Sequence, residues 1–163
     1  MKKIIYTALM VAVMSTVSSA KEFTVNLGVA SSSIESTSSV GANLELEVGL
    51  VKLMEDALKL RIQFGATTVE DGYLGYIGFG ARYALSQALE VGILANPTML
   101  SSTFDGQDSV NFIGFTYGAD VKYNFNANHG VLLSYTTGSL SEEKSGLIDV
   151  SVDVAKLNYS YTF

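Results

Sequence analysis

Val40-Gly41-Ala42-Asn43-Leu44-Glu45-Leu46-Glu47-Val48-Gly49-Leu50 alternates apolar and small or charged residues without a break. Side chains of a β-strand point alternately to opposite faces, so this stretch is a strand with one apolar face and one polar face. Val40, Ala42, Leu44, Leu46, Val48 and Leu50 fall on the first face. Gly41, Asn43, Glu45, Glu47 and Gly49 fall on the second.

The same period runs outward in both directions. Upstream, Phe23, Val25, Leu27 and Val29 alternate with Thr24, Asn26 and Gly28. Downstream, Leu58, Leu60, Ile62 and Phe64 alternate with Lys59, Arg61, Gln63 and Gly65. A fourth face carries Tyr73, Ile77, Phe79, Ala81 and Tyr83, opposite Gly78, Gly80 and Arg82. A fifth carries Leu89, Val91, Ile93 and Ala95. A sixth carries Ile113, Phe115, Tyr117, Ala119, Val121 and Tyr123, and a seventh Val131, Leu133 and Tyr135. The eighth carries Ala155, Leu157, Tyr159, Tyr161 and Phe163, opposite Lys156, Asn158, Ser160 and Thr162. No helical period competes over a comparable window.

Connections are expected to be short after strands two, four and six, near 52–56, 84–87 and 126–129. They are expected to be longer after strands one, three, five and seven, as in the polar stretch 31–39, at 96–108 and at 138–146. Short turns at one end and long loops at the other suit a transmembrane barrel, whose strands need about 9–11 tilted residues per crossing.

Composition agrees with strands that present apolar residues to lipid. Of 163 residues, 48% are hydrophobic and only 16% charged. After the first twenty residues, no apolar run approaches the ~18 positions of a membrane-spanning helix. Cysteine is absent, which excludes disulfides and thiolate metal sites. A net charge of -6 argues against a nucleic-acid partner. No cofactor is expected.

Residues 1–20 have the three-part pattern of an export signal. Lys2 and Lys3 precede an apolar run from Ile4 to Val13, and Ser18-Ser19-Ala20 supplies small residues for cleavage. The domain organisation expected is a signal peptide at 1–20 and a barrel at 21–163.

Alternation alone does not say which face points outward, but three features choose. The polar face is crowded with glycine: Gly28, Gly41, Gly49, Gly65, Gly78, Gly80, Gly92, Gly114 and Gly118. The interior of an eight-stranded barrel is barely wide enough for side chains, so small residues there leave room for larger neighbours. The apolar face carries too much Phe, Tyr, Leu and Ile for such an interior. Finally, Tyr83, Tyr123, Tyr159, Tyr161 and Phe163 sit beside the short turns or the terminus, where an interfacial aromatic girdle belongs. The apolar face therefore looks out.

In that orientation the lumen holds Glu45, Glu47, Glu90 and Asp120 with Lys59, Arg61, Arg82, Lys122 and Lys156. Unpaired buried charge is costly, so near-balanced signs imply an interior ion-pair network. Glu45 and Glu47 precede the strand of Lys59 and Arg61, which makes those pairings the first expectation. Val150, Val152 and Val154 depart from the pattern, being apolar on the polar face of strand eight. Either a bulge shifts the register there or that part stands above the bilayer.

With these residues in place, the chain resembles the small outer-membrane barrels of the OmpA transmembrane domain, OmpX and opacity-protein type. The resemblance covers residues 21–163. It rests on the leader, the eight amphipathic strands and the terminal run Leu157-Asn158-Tyr159-Ser160-Tyr161-Thr162-Phe163. It implies an eight-stranded antiparallel up-and-down transmembrane β-barrel in the outer membrane, surrounded by outer-membrane lipid and lipopolysaccharide. It also implies that Leu157, Tyr159, Tyr161 and Phe163 form the signal read by the barrel assembly machinery.

The functional expectation is a structural or surface-interaction role, in envelope integrity or adhesion, with a charge-plugged lumen. A narrow porin-like channel is the alternative. A lipid A-modifying enzyme is disfavoured. Such barrels would need a catalytic His with Ser and an acid, whereas His129 is the only histidine and is followed by Gly130-Val131 at a short turn. The glycine-rich run Gly75–Gly80 lies within a strand, not at the strand-to-helix turn that cradles phosphate. No catalytic or metal residue is assigned. The loops hold Glu35, Glu70, Asp71, Asp105, Asp108, Glu142, Glu143 and Asp149 against Lys144 alone. They could face a host or surface ligand, but lack calcium-loop spacing.

Overall fold

A computed structural model describes residues 22–54, 57–102, 110–143 and 148–163. The expected signal peptide, part of the 52–56 turn, Asp105, Asp108 and Lys144 lie outside the described residues.

The chain forms eight strands: β1 (Glu22–Ile34), β2 (Thr37–Leu53), β3 (Leu58–Val69), β4 (Gly72–Ala84), β5 (Leu89–Ser102), β6 (Val110–Asn124), β7 (His129–Glu142) and β8 (Asp149–Thr162). Each pairs antiparallel with its sequence neighbour, and β1 pairs with β8 to close the barrel. Closure leaves no unpaired strand edge, which lipid would not tolerate.

The turns at the end that holds Glu22 and Phe163 are locked by side-chain oxygens. Ser86 Oγ accepts from the backbone N–H groups of Ala88 at 3.3 Å and Leu89 at 3.1 Å. Asn126 Oδ1 accepts from Asn128 and His129, each at 2.9 Å. Ser and Asn favour turns for this reason.

Several expectations are corrected at the opposite end. The polar stretch 31–39 is not a long loop. Its serines pair across a hairpin, Ser31 with Val40 and Ser33 with Ser38, and only Glu35 and Ser36 turn. Glu35 has φ 54 and Asp71, in the equally tight turn before β4, has φ 56. The connections after strands one and three are therefore short. Backbone pairing needs no apolar side chain, so strands continue where their composition becomes polar.

Residues 96–102 also belong to a strand. β5 runs through Pro97, which pairs with Phe115 of β6, while its pairing with β4 skips from Tyr76–Thr98 to Phe79–Ala95. A proline has no N–H to donate, so one side of the ladder is interrupted. Likewise β7 extends to Glu142, beyond the expected loop start.

In β2 the register shifts between Gly49 and Val51. Leu50 is the extra residue of a bulge. The outward position after Val48 is thus taken by Val51, 46% exposed, instead of Leu50.

Strand β8 resolves the departure noted at its start. Its pairing with β1 and β7 is continuous past Val154 and Val152, so no bulge shifts it. Both valines face inward, joining Ala30, Leu74, Tyr76, Leu100, Phe112 and Leu140 in a buried cluster. Outside the same section stand Ser31, Thr68, Ser139, Ser141 and Ser151, all exposed. The alternation persists while its character changes: the interior at this end is largely apolar, and the exterior is mixed, these polar residues standing among exposed Val40, Tyr73, Ile113 and Phe115.

Candidate functional site: the barrel interior and its two mouths

The nine sequence-predicted lumen residues all lie on inward positions of their strands. Three tiers follow from one mouth to the other.

At the mouth beside Glu22 and Phe163, Lys59 Nζ lies 3.2 Å from Glu22 Oε1 and 3.0 Å from Glu90 Oε1. Glu22 also pairs with Lys52 at 3.1 Å. Glu22 was absent from the predicted set, although it shares the parity of Thr24 and Asn26 and so the inward face. Lys122 donates to Thr162 Oγ1 at 3.2 Å. Glu22, Lys59, Glu90, Lys122 and Thr162 border a cavity of about 500 Å³ with Asn124, Asn126 and Gln87.

The middle tier is a four-membered charge cluster. Arg61 Nη1 lies 2.7 Å from Glu47, and its Nη2 bonds Asp120. Arg82 Nη1 and Nη2 reach the two Glu47 oxygens at 2.9 and 3.1 Å. Arg82 Nε reaches Asp120 Oδ1 at 3.2 Å. Both guanidinium groups are almost wholly buried. Planar guanidinium forks suit this double sharing, because each offers several donors in a fixed plane.

Glycine makes the space. A Cβ on Gly92 would meet Asp120 Oδ1 at 2.6 Å, and one on Gly80 would meet Arg61 Nε at 3.1 Å.

Above it, Glu45 receives Asn26 Nδ2 at 3.0 Å and the Tyr76 hydroxyl at 2.6 Å. Lys156 donates to the same hydroxyl at 2.6 Å and stands 3.6 Å from Glu45. A Cβ on Gly65 would collide with the Tyr76 ring. Asn43, Thr67 and Asn158 complete the tier, Asn43 donating to Asn158 at 2.9 Å.

The expected pairing of Glu45 and Glu47 with Lys59 and Arg61 is thus partly corrected. Only Glu47–Arg61 forms. Lys59 turns to Glu22 and Glu90, and Glu45 to Lys156. In a narrow barrel, side chains from non-adjacent strands meet across the lumen, so strand adjacency alone does not select partners.

Tyr159, Tyr161 and Phe163 lie on the outer face beside the turns. The Tyr161 and Phe163 rings are 4.7 Å apart, and Phe163 is 5.7 Å from Phe23. His129 belongs to this group: its ring is 5.0 Å from Tyr161, and its Nδ1 bonds the Tyr159 hydroxyl. Among the described residues, no group of three or more acidic or histidine side chains could hold a metal ion.

A closed eight-stranded barrel with an apolar exterior, an aromatic girdle and a polar, charged lumen defines a small transmembrane β-barrel. Solved structures give the same class. Ail, the attachment invasion locus protein of Yersinia pestis, is 21% identical, covering 87% of this chain and 98% of its own, with a TM-score of 0.59. Neisserial surface protein A is 16% identical, covering 86% and 94%, with a TM-score of 0.62. The N-terminal barrel domain of Pseudomonas aeruginosa OprF is 13% identical, covering 88% and 98%, with a TM-score of 0.63. At these identities the likeness is one of fold. No family model and no curated protein matches this chain.

Proposed function

We propose that residues 21–163 form an integral outer-membrane barrel with a structural or surface-interaction role, exported by a leader at 1–20 and closed to solutes along its lumen. The observation that carries the closure is the stack of the Arg61–Glu47–Arg82–Asp120 cluster beneath the apolar cluster of Leu74, Leu100, Phe112 and Leu140. A hydrated ion would have to break the first and dewet the second.

The apolar cluster inside the far section and the exposed Ser31, Ser139, Ser141 and Ser151 outside it support a further part of this proposal. That end would face the extracellular side, its serine-bearing edge above the hydrocarbon. The terminal run of Leu157 with the aromatic Tyr159, Tyr161 and Phe163 would be presented to the assembly machinery, and the outer leaflet would be lipopolysaccharide. Ail is described in complex with a heparin analogue, which favours surface interaction as the role of such barrels.

The channel alternative has one feature in its favour, the cavity of about 500 Å³ at the mouth beside Glu22 and Phe163. Planar-bilayer recording separates the two. The plugged reading predicts no unitary conductance from the wild-type chain. Steady conductance that changes in Arg82→Gln or Glu47→Gln would replace it with the channel reading.

A further inference from the structure

The mouth opposite Glu22 and Phe163 opens into a cup of about 490 Å³. Its floor is the top of the apolar cluster: Leu100 and Phe112 belong to both, with Val110 and Val150 beside them. Its rim carries carboxylates on three connections, Glu35 in the first hairpin turn, Glu70 and Asp71 in the second and Glu142 at the end of β7. Among the described residues lining it there is no lysine or arginine.

The size lies within the usual range of about 300–1,000 Å³ for small-molecule sites. An apolar floor under the exposed carboxylates of Glu35 and Glu70 is complementary to a molecule with an apolar body and a positive head. A bare divalent ion would leave the floor unused, and the carboxylates are not gathered into a metal site. An anionic ligand of the kind described with Ail would meet like charge at this rim.

We infer that the cup binds small cationic amphiphiles from outside the cell, the apolar body against Leu100, Phe112 and Val110 and the ammonium group between Glu35 and Glu70. This names a ligand class for the surface-interaction role and rests on that proposal.

The test uses the full barrel in phosphatidylcholine nanodiscs, with empty nanodiscs as the control. The probes are 4-phenylbutylammonium and 4-phenylbutyrate, which share a tail and differ in the sign of the head. Saturation-transfer NMR should report saturable binding of the cation to the barrel, not to empty discs. The carboxylate should bind about tenfold more weakly or not at all. Glu35→Gln with Glu70→Gln should weaken the cation about fivefold to tenfold. Glu35→Gln keeps the acceptor that receives the Ser151 N–H at 2.9 Å, so the hairpin is preserved. Filling the cup with Val110→Trp should abolish binding independently of charge.

Equal binding of both probes, an unchanged affinity in the double variant, or no saturable signal each overturns the inference. Ser36→Cys labelled on intact cells with a membrane-impermeant maleimide tests the underlying proposal separately. Labelling without probe binding sinks the cup alone. Absence of labelling in cells whose outer membranes contain the barrel sinks the outward placement of this mouth.

Discussion

Removing Arg82 from the middle tier should destabilise the barrel more than removing Arg82 and Glu47 together. The guanidinium contacts Glu47 at 2.9 and 3.1 Å and Asp120 at 3.2 Å, with its side chain 2% exposed. In Arg82→Met the two carboxylates share Arg61 alone, leaving a surplus negative charge away from water. Breaking a buried pair this way costs about 3–5 kcal/mol. Arg61 still contacts both acids, at 2.7 Å from Glu47 and through Nη2 to Asp120, so the cost should sit near the lower figure, about 3 kcal/mol.

In Arg82→Met with Glu47→Gln, the Arg61–Asp120 pair survives and the signs balance again. Replacing a complete buried pair is often close to neutral, so the double variant should lose only about 1 kcal/mol. Glu47→Gln completes the cycle, whose coupling energy should be about 2 kcal/mol or more. The assay is urea unfolding of the reconstituted barrel, read as the fraction migrating as the folded band. Additive costs, or an Arg82→Met cost under about 1 kcal/mol, would refute the claim that these charges act as one desolvated cluster.

Other perturbations test other parts of the account. Leu27, outward and 54% exposed, should cost about 2–4 kcal/mol as Leu27→Arg, while Ser139→Arg, at an exposed serine toward the far mouth, should stay within about 0.5 kcal/mol. Equal unfolding midpoints for the two would move the bilayer boundary. Gly65→Ala should cost about 1–3 kcal/mol by displacing Tyr76 from Glu45 and Lys156, whereas Gly75→Ala, with nothing within 4 Å of an added Cβ, should be nearly silent in the same unfolding assay. Phe163→Ala removes a ring packed 4.7 Å from Tyr161 and 5.7 Å from Phe23 and should lower the amount assembled into outer membranes, measured by quantitative immunoblot against total protein.

Much of this architecture was legible in period two. The parity of Lys59, Arg61, Arg82, Asp120, Lys122 and Lys156 placed each on the inward face, because one face of each strand must be buried and a slip of one residue would reverse every side chain. Glu22 was legible by the same parity and escaped only because it precedes the first apolar residue of its strand. Who pairs with whom was not legible. Lys59 meets Glu90 across the lumen, a contact fixed by barrel closure and stagger, not by neighbouring strands.

The serine-rich hairpin and the Pro97 stretch look like loops in the sequence, because polar residues and a proline interrupt the apolar alternation there. The strands instead continue into a section where apolar side chains turn inward and serines reach the exterior. Val150, Val152 and Val154 carried that signal in the sequence. Leu74, Leu100, Phe112 and Leu140, on inward parity at the same end, carried it too. The Leu50 bulge left no mark, since Gly49-Leu50-Val51 satisfies the alternation either way until the partner strand is known.

The most direct test of the central claim is the mobility of the protein from isolated outer membranes on a detergent gel, boiled and unboiled. An apolar exterior around a hydrogen-bonded closed barrel predicts recovery in the outer-membrane fraction and a band that shifts only on heating. Recovery as a soluble periplasmic protein with no shift would contradict it, placing the apolar face inside and the charged face in water.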